Sequence, residues 1–397
     1  MKKNNLKLAL IGGFVLYLLS TGISYAAFHY FNGSGVTNPT GSTQEKKSGF
    51  KVDNSAPKTE SCPINGEMYS KAEKDLWVKR RPIVAMIENS VDARPQSGLS
   101  SADVTYEAVA EGGITRTMNV FFCGAAGEDV KIAPVRSSRI YFIDWASEYG
   151  DLPLYVHVGG ANDYAHSGDT APKVRALELL EKIGWRVRGG NDLDTTFDGQ
   201  FPVFYRDYER LGHEVATEHT MVSSTGKIWE EAVKRGLEAT AKDGKKWDQT
   251  FVSWKFKNDE AANKRGTTNE IKVTFWSGKS DYDVTWKYDT ANNQYLRFNG
   301  GVEHKDLNND QQLTAKNVVV QYMKEEDSID KNLHTFIYTT GTGKAVIFQD
   351  GKAISATWSK KDRTSRTIYT DSAGKEISFN RGKIWIETVP VGQNAVY

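Results

Sequence analysis

The chain has 397 residues, of which 39% are hydrophobic, 11% aromatic and 25% charged, and its net charge at pH 7 is +1. That length admits two domains, and that composition belongs to a folded protein. The near-neutral balance, with a pI of about 7.7 and no long basic block, excludes a nucleic-acid partner, because such binding draws on clustered excess Lys and Arg.

The chain opens on "MKKNNLK", with Lys2, Lys3 and Lys7, followed by "LALIGGFVLYLLSTGISYAAFHYF", which carries no Lys, Arg, Asp or Glu. A run of that length can span a bilayer. Lysines before it and none close behind it predict the N-terminus inside and the remainder outside. "SYA", ending at Ala26, also resembles a signal-peptide cleavage site. Residues 1–31 therefore read as a transmembrane anchor or a signal segment. The length of the run and the interfacial set Phe28, His29, Tyr30 and Phe31 favour the single-pass anchor. No Cys near the end of the run offers a site for a lipid. Either way the bulk of the chain is expected on the extracytoplasmic side of a cell membrane. Residues 32–61, rich in Gly, Ser, Thr, Asn and Pro, read as a flexible tether. The two cysteines, Cys62 and Cys123, are disulfide candidates, since export permits a bridge. Two thiols so far apart do not form a thiolate zinc site.

Residues 62–250 read as a mixed α/β domain. "RRPIVAMIEN" is a buried strand after a Pro, and "ADVTYEAV" alternates with Val104, Tyr106 and Ala108 on one face. "TRTMNVFFCG" and "LPLYVHVGG" are further strands. "DTAPKVRALELLEKIGW" predicts a helix with Thr170 as cap, Pro172 in its first turn and Gly184 at its end. "STGKIWEEAVKRGLEA" predicts a second helix with Ile228, Trp229, Ala232 and Val233 as its apolar stripe. Residues 251–397 change character: short strands are separated by the turn pieces "NN", "GTG", "DG", "SAG" and "RG". The fold class is α+β: an N-terminal membrane anchor, a mixed α/β domain, then a β-rich second domain.

Several motifs fail. "HEVATEH" sets His213 and His219 six apart, where a zincin helix needs four. "GTGKA" at 341–345 lacks the parts of a phosphate loop and reads as a hairpin turn. No G-x-S-x-G elbow exists. No catalytic residue and no metal site follows from spacing, and the chain is not assigned as an enzyme. A polar constellation remains on loops beyond strand ends, where α/β folds build sites. Its candidate ligand-binding residues are Arg94, Gln96, Ser97, Glu111, Arg116, Arg136, Ser137, Arg139 and His157. Arginine offers a rigid donor fork suited to phosphate or carboxylate. The competing reading pairs Arg116, Arg136 and Arg139 with Glu88, Glu107, Glu111 and Asp144 as internal salt bridges, and makes His157 a satisfied core histidine.

The pieces "RRPIVAMIEN", "ARPQSGLSSADVTYEAVAEGGITR", "APVRSSRIYFIDWA" and "LYVHVGG" resemble the YerB-like family of bacterial exported proteins, a family of unknown function. The resemblance extends through "TFWSGKSDYDVTWKYD" and "NVVV" into that family's second, β-rich domain. It implies a membrane-tethered extracytoplasmic bacterial envelope protein and no particular reaction. The family's lipid-bearing Cys is missing here, its place taken by the apolar run, and "EHTMVSST" departs from the family's His-Asn pattern with Thr220 after His219. The order of pieces is also similar to the LytR–CpsA–Psr phosphotransferases, which act on polyprenyl-pyrophosphate-linked glycopolymers. That parallel implies Arg116, Arg136 and Arg139 clamping a pyrophosphate beside an apolar slot, with Glu88, Asp92 or Asp103 holding Mg²⁺. Two of that family's acidic positions read Thr117 and Ser137 here. Three functional expectations result: a protein that binds an anionic or lipid-linked envelope ligand or serves as an accessory factor, a Mg²⁺-dependent phosphotransferase, or a protein-interaction module acting through the β-rich domain. No cofactor is expected outside the phosphotransferase reading.

Overall fold

The computed structural model describes Asp53 and residues 55–196, 200–393 and 395–397. The anchor or signal segment expected over 1–31 lies outside the described residues, as does most of the tether expected over 32–61. Among the described residues no helix is long and apolar enough to cross a membrane. The tether stops short of Ser61, because Lys58–Ser61 is a strand paired antiparallel with Met68–Ser70. Gly66 closes the turn between them at φ 72°, where a Cβ would stand 2.3 Å from the Phe256 ring. This hairpin presents Cys62 to Cys123, and the two form a disulfide with Cα atoms 6.0 Å apart.

The apolar runs become strands β1 (Ile83–Glu88), β2 (Val104–Glu111), β3 (Ile114–Phe121), β4 (Leu154–Val156) and β5 (Asp192–Leu193). Further on, β6 (Glu270–Val273), β7 (Val284–Asp289), β8 (Gln294–Asn299), β9 (Val302–Glu303) and β10 (Thr314–Ala315) form a separate five-stranded antiparallel sheet. The last strands are β11 (Asn317–Met323), β12 (Gly341–Gln349), β13 (Lys352–Lys360), β14 (Ile368–Thr370) and β15 (Ile384–Pro390). They join β1–β5 in one ten-stranded sheet of order β14-β13-β12-β11-β15-β2-β3-β1-β4-β5. β15 is the seam, parallel to β11 on one side and to β2 on the other. The stretches 62–250 and 251–397 therefore share a sheet, within one compact unit, Phe50–Tyr397.

Alternation sorts the core. Val84, Met86, Val104, Tyr106 and Ala108 face one cluster, while Ile83, Ala85, Ile87 and Val109 face another, which also takes in Trp286 of β7. Among the described residues four helices cover the sheet: α1 (Lys71–Trp77), α2 (Ile140–Ala146), α3 (Ala176–Lys182) and α4 (Thr225–Arg235). In α2 the side chains of Tyr141, Phe142, Ile143 and Trp145 are fully buried. Each large apolar side chain gains about 1.5–3 kcal/mol on burial, so the helix turns its aromatics inward.

Three local expectations change. The helix read from Thr170 starts late: Pro172–Val174 is a 3₁₀ turn, and α3 begins only after Arg175, whose ψ of 89° is not helical. Arg175 is held there by bonds to Thr170 O and Asp163 Oδ2. α4 has its cap at Ser224 and its left-handed end at Gly236, but Val233 of its supposed stripe is exposed. "GTG" is no turn; it opens β12, where Gly343 lies opposite Trp358 and leaves room for the indole, 2.6 Å from where a Cβ would stand. The turn of that hairpin is Asp350–Gly351, both at positive φ.

Candidate functional site

β1 and β4 run parallel from Ile83 and Leu154 as far as Ala85 and Val156. Beyond that point they part, and residues 134–138 fill the gap. Glu88 N donates to Pro134 O and Arg136 N to Met86 O on one side. Val158 N donates to Arg136 O and Ser138 N to Gly159 O on the other. Divergence of neighbouring parallel strands makes a crevice at their C-terminal ends, the usual place for a site in such sheets. Here residues 134–138 occupy that gap, so Glu88, Arg136, Ser137 and the Gly159–Gly160 loop meet at the strand ends.

The β2–β3 hairpin brings the remaining groups. Gly112 and Gly113 turn it at φ 56° and 82°, and Glu111 and Arg116 flank the turn. Arg116 stands opposite Glu88 in register. Its Nη1 donates to Ser137 O at 2.7 Å and its Nη2 to Glu111 Oε1 at 3.2 Å. Arg139, the residue before α2, grips Glu111 with two nitrogens: Nε to Oε2 at 3.0 Å and Nη2 to Oε1 at 2.7 Å. Glu88 is shared by Arg136 Nε at 3.2 Å and by His219, whose Nδ1–H donates to Oε2 at 2.9 Å.

Three guanidinium groups thus face two carboxylates, leaving a formal surplus of one positive charge before His219 is counted. Arg116 Nε is buried without a hydrogen-bond partner, and Arg136 Nε has its ion contact but no hydrogen bond. The Arg136 side chain is 28% exposed, whereas those of Arg116 and Arg139 are 4% and 8% exposed. Burial pushes the Glu111 carboxyl up, but Arg116 and Arg139 outweigh it and hold it at about 2, against an ordinary 4.5. A depressed carboxyl stabilises the fold above its unfolded value and ceases to do so as pH falls through the folded one. Glu111→Gln is therefore expected to lose about 2 kcal/mol at neutral pH, the scale of a hydrogen-bonded charged pair. The gap from wild type should narrow as pH drops from 4.5 toward 2, as read by urea unfolding across that range. A gap independent of pH would contradict it.

The other sequence-derived residues are placed differently. Gln96 and Ser97 are fully buried. Gln96 donates to Glu88 O and Asn89 Oδ1, so it supports the β1 end from behind. Arg94 donates to Asn89 and to Asp281 O and lies 5.0 Å from the Tyr282 ring, which fixes it to the five-stranded sheet. His157 is fully buried and reaches no surface ligand. Its two ring nitrogens face acceptors, Gly159 O at 2.7 Å and Asp192 Oδ1 at 2.6 Å, so both donate. Burial opposes charge on that ring, and Asp192 overcomes it, raising the pKa. His157 is a positioning residue for the Gly159 loop.

Of the internal pairings read from the sequence, Glu88 and Glu111 do meet the arginines. Glu107 instead pairs with Arg297, and Asp144 accepts from Thr339. His219 was reachable by no spacing argument, being 131 residues from Glu88. The acids named for Mg²⁺ do not converge. Asp92 is exposed on a 3₁₀ turn. Asp103 lies at the start of β2, the opposite end from Glu111, where it accepts from Asn65 Nδ2, Phe122 N and Gly124 N. The apolar slot of the phosphotransferase reading is absent at Tyr141, Phe142, Ile143 and Trp145, which are core.

Two family models match the chain: the N-terminal domain of DUF3048, a protein of unknown function, over residues 67–238, and the C-terminal domain of DUF3048 over residues 271–386. The chain belongs to the DUF3048 family. It is similar to "Putative lipoprotein YerB" of Bacillus subtilis (strain 168), 27% identical over 315 residues that cover 79% of this chain and 82% of that protein. The crystal structure of the YerB protein from Bacillus subtilis has the same fold, with a TM-score of 0.65 and 23% identity, covering 85% of this chain and 100% of that one.

Proposed function

We propose that this is a membrane-tethered extracytoplasmic protein that binds an anionic envelope ligand, of phosphate or pyrophosphate type, at the arginine cluster beyond the C-terminal ends of β1 and β4. The carrying observation is the guanidinium cluster: Arg136 is part-exposed and touches Glu88 through Nε, beside Arg116 with an unpartnered Nε. Guanidinium forks suit phosphate oxygens, and Ser137 with the Gly159–Gly160 loop adds polar surface next to them. The Cys62–Cys123 bridge supports an oxidising location, in keeping with the lipoprotein description of the Bacillus relative and with the apolar run at residues 8–31.

The test is the melting temperature of the Phe50–Tyr397 unit with inorganic pyrophosphate, with and without Mg²⁺, and with citrate as a carboxylate control. Pyrophosphate should raise it, by the equivalent of about 2.7 kcal/mol at a hundred times Kd. Arg136→Ala should remove the rise while leaving the unliganded melting temperature nearly unchanged, because that side chain is part-exposed and lightly held. No rise in wild type, or an equal rise in Arg136→Ala, overturns the proposal.

A further inference from the structure

Far from the crevice, a short parallel pairing sets Phe256 beside Phe379 and Lys257 beside Asn380. Across it lie the three parts of an amide-forming reaction. Lys257 Nζ, a primary amine, is 2.6 Å from Asn380 Oδ1. The same Nζ is 2.6 Å from Asp350 Oδ2. The other oxygen, Asp350 Oδ1, accepts from Asn380 Nδ2 at 2.8 Å. The orientation of the Asn380 amide follows from these partners, since a carboxylate only accepts and an ammonium only donates. One carboxylate therefore touches the amine with one oxygen and the amide nitrogen with the other. Asp350 and Asn380 are buried, at 2% and 0% exposure, and the Lys257 side chain is 31% exposed.

The surroundings hold the triad in place. Asp350 also accepts from Asn293 Nδ2 and Glu260 N. Asn380 is fixed through its backbone, donating N–H to Asn317 Oδ1 and accepting at its carbonyl from Asn317 Nδ2. Orientation of this kind turns a reaction between two side chains into a unimolecular step, which is worth several kcal/mol of its barrier.

We infer that Lys257 and Asn380 form an intramolecular isopeptide bond, with Asp350 as the proton shuttle. Asp350 takes a proton from the Lys257 ammonium. The free amine attacks Asn380 Cγ, forming the Nζ–Cγ bond. Asp350 passes the proton to Asn380 Nδ2, the Cγ–Nδ2 bond breaks, and the nitrogen departs as ammonia, which takes up the remaining amine proton. Asp350 ends as it began, a carboxylate. The balance needs no oxidant, metal or cofactor. The bond spans 123 residues of sequence, tying the start of the β-rich stretch to the short strand Phe379–Asn380.

The test is tandem mass spectrometry of a proteolytic digest of the purified full chain. The expected product is a branched peptide joining residue 257 to residue 380, lighter by one ammonia than its two linear parts. Asp350→Asn and Lys257→Arg should each yield the two linear peptides with no ammonia lost. Linear peptides alone from the wild-type chain overturn the inference and leave the three residues as a hydrogen-bonded clasp. A branched peptide undiminished in Asp350→Asn overturns the shuttle assigned to Asp350.

Discussion

Arg297→Met should lower folding stability by about 3–5 kcal/mol, the cost of removing one partner from a buried ion pair. Arg297 is fully buried on β8 and serves three acceptors. It pairs with Glu107 of β2, donates Nη1 to Glu387 Oε1 at 2.6 Å, and donates Nε to His304 Nδ1 at 2.9 Å. The guanidinium lies against two indoles that touch each other edge to face, 4.1 Å from the Trp385 ring and 5.1 Å from that of Trp286. Glu107 and Glu387 stand side by side in the parallel register of β2 and β15. Burial pushes Glu387 up to about 7, with Arg297 pulling the other way and Glu107 adding to the rise. Without the guanidinium, two buried carboxylates face each other with no cation between them. Urea unfolding should show the midpoint falling with little change in slope. A loss below about 1 kcal/mol would mean that the seam is held by its apolar packing alone. The same network continues through His304, whose Nε2–H donates to Gln96 Oε1, and through Asn89, which donates to Glu107 and Thr115. Burial, with Arg297 beside it, holds the His304 ring well below its usual pKa and neutral. The end of β1 and the five-stranded sheet are thus joined by one chain of buried polar contacts.

Replacing both Cys62 and Cys123 by Ser is expected to cost about 4 kcal/mol, the loop-closure value for a sequence separation of 61 residues. The bridge ties the first hairpin, a two-stranded sheet of its own, to the residues just after β3. Asp103 provides a second tie at the same place, accepting from Asn65 on the hairpin side and from Phe122 N and Gly124 N on the other. Thermal or urea unfolding of the double variant, compared with the oxidised wild type, measures the bridge alone. A loss near zero would show that Asp103 holds the hairpin without it.

Much of the fold is legible because its signals are local. The run IVAMIE reads as a strand buried on both faces, and so it is. Ser224 and Gly236 mark the ends of α4 by chemistry that acts within one helical turn. Errors arise where a distant contact overrides the local pattern. Arg175 breaks the α3 helix because Asp163 holds its side chain, and Gly343 serves a facing indole rather than a turn. The site was legible in part. Arg116, Arg136, Ser137, Arg139 and Glu111 do gather, because each lies near a strand end and strand ends converge. Gln96, Ser97 and His157 belong beneath the site, since polarity in a sequence does not distinguish a residue that meets solvent from one that satisfies a buried neighbour.

The sequence by itself determined the buried strands of the first half and the helix α4, that two cysteines were available for a bridge, and that arginines cluster around strand ends. Those features depend on residue type and short-range spacing. Only the tertiary structure decided which carboxylate each arginine meets, that His219 joins Glu88 and Arg297 joins Glu107 to Glu387, and that Lys257, Asp350 and Asn380 come together. Apart from Arg116 and Glu111, five residues apart, those partners lie tens to hundreds of residues apart along the chain. The meeting of Glu387 with Glu107 and Arg297 depends on the insertion of β15 between β2 and β11, which no local periodicity encodes.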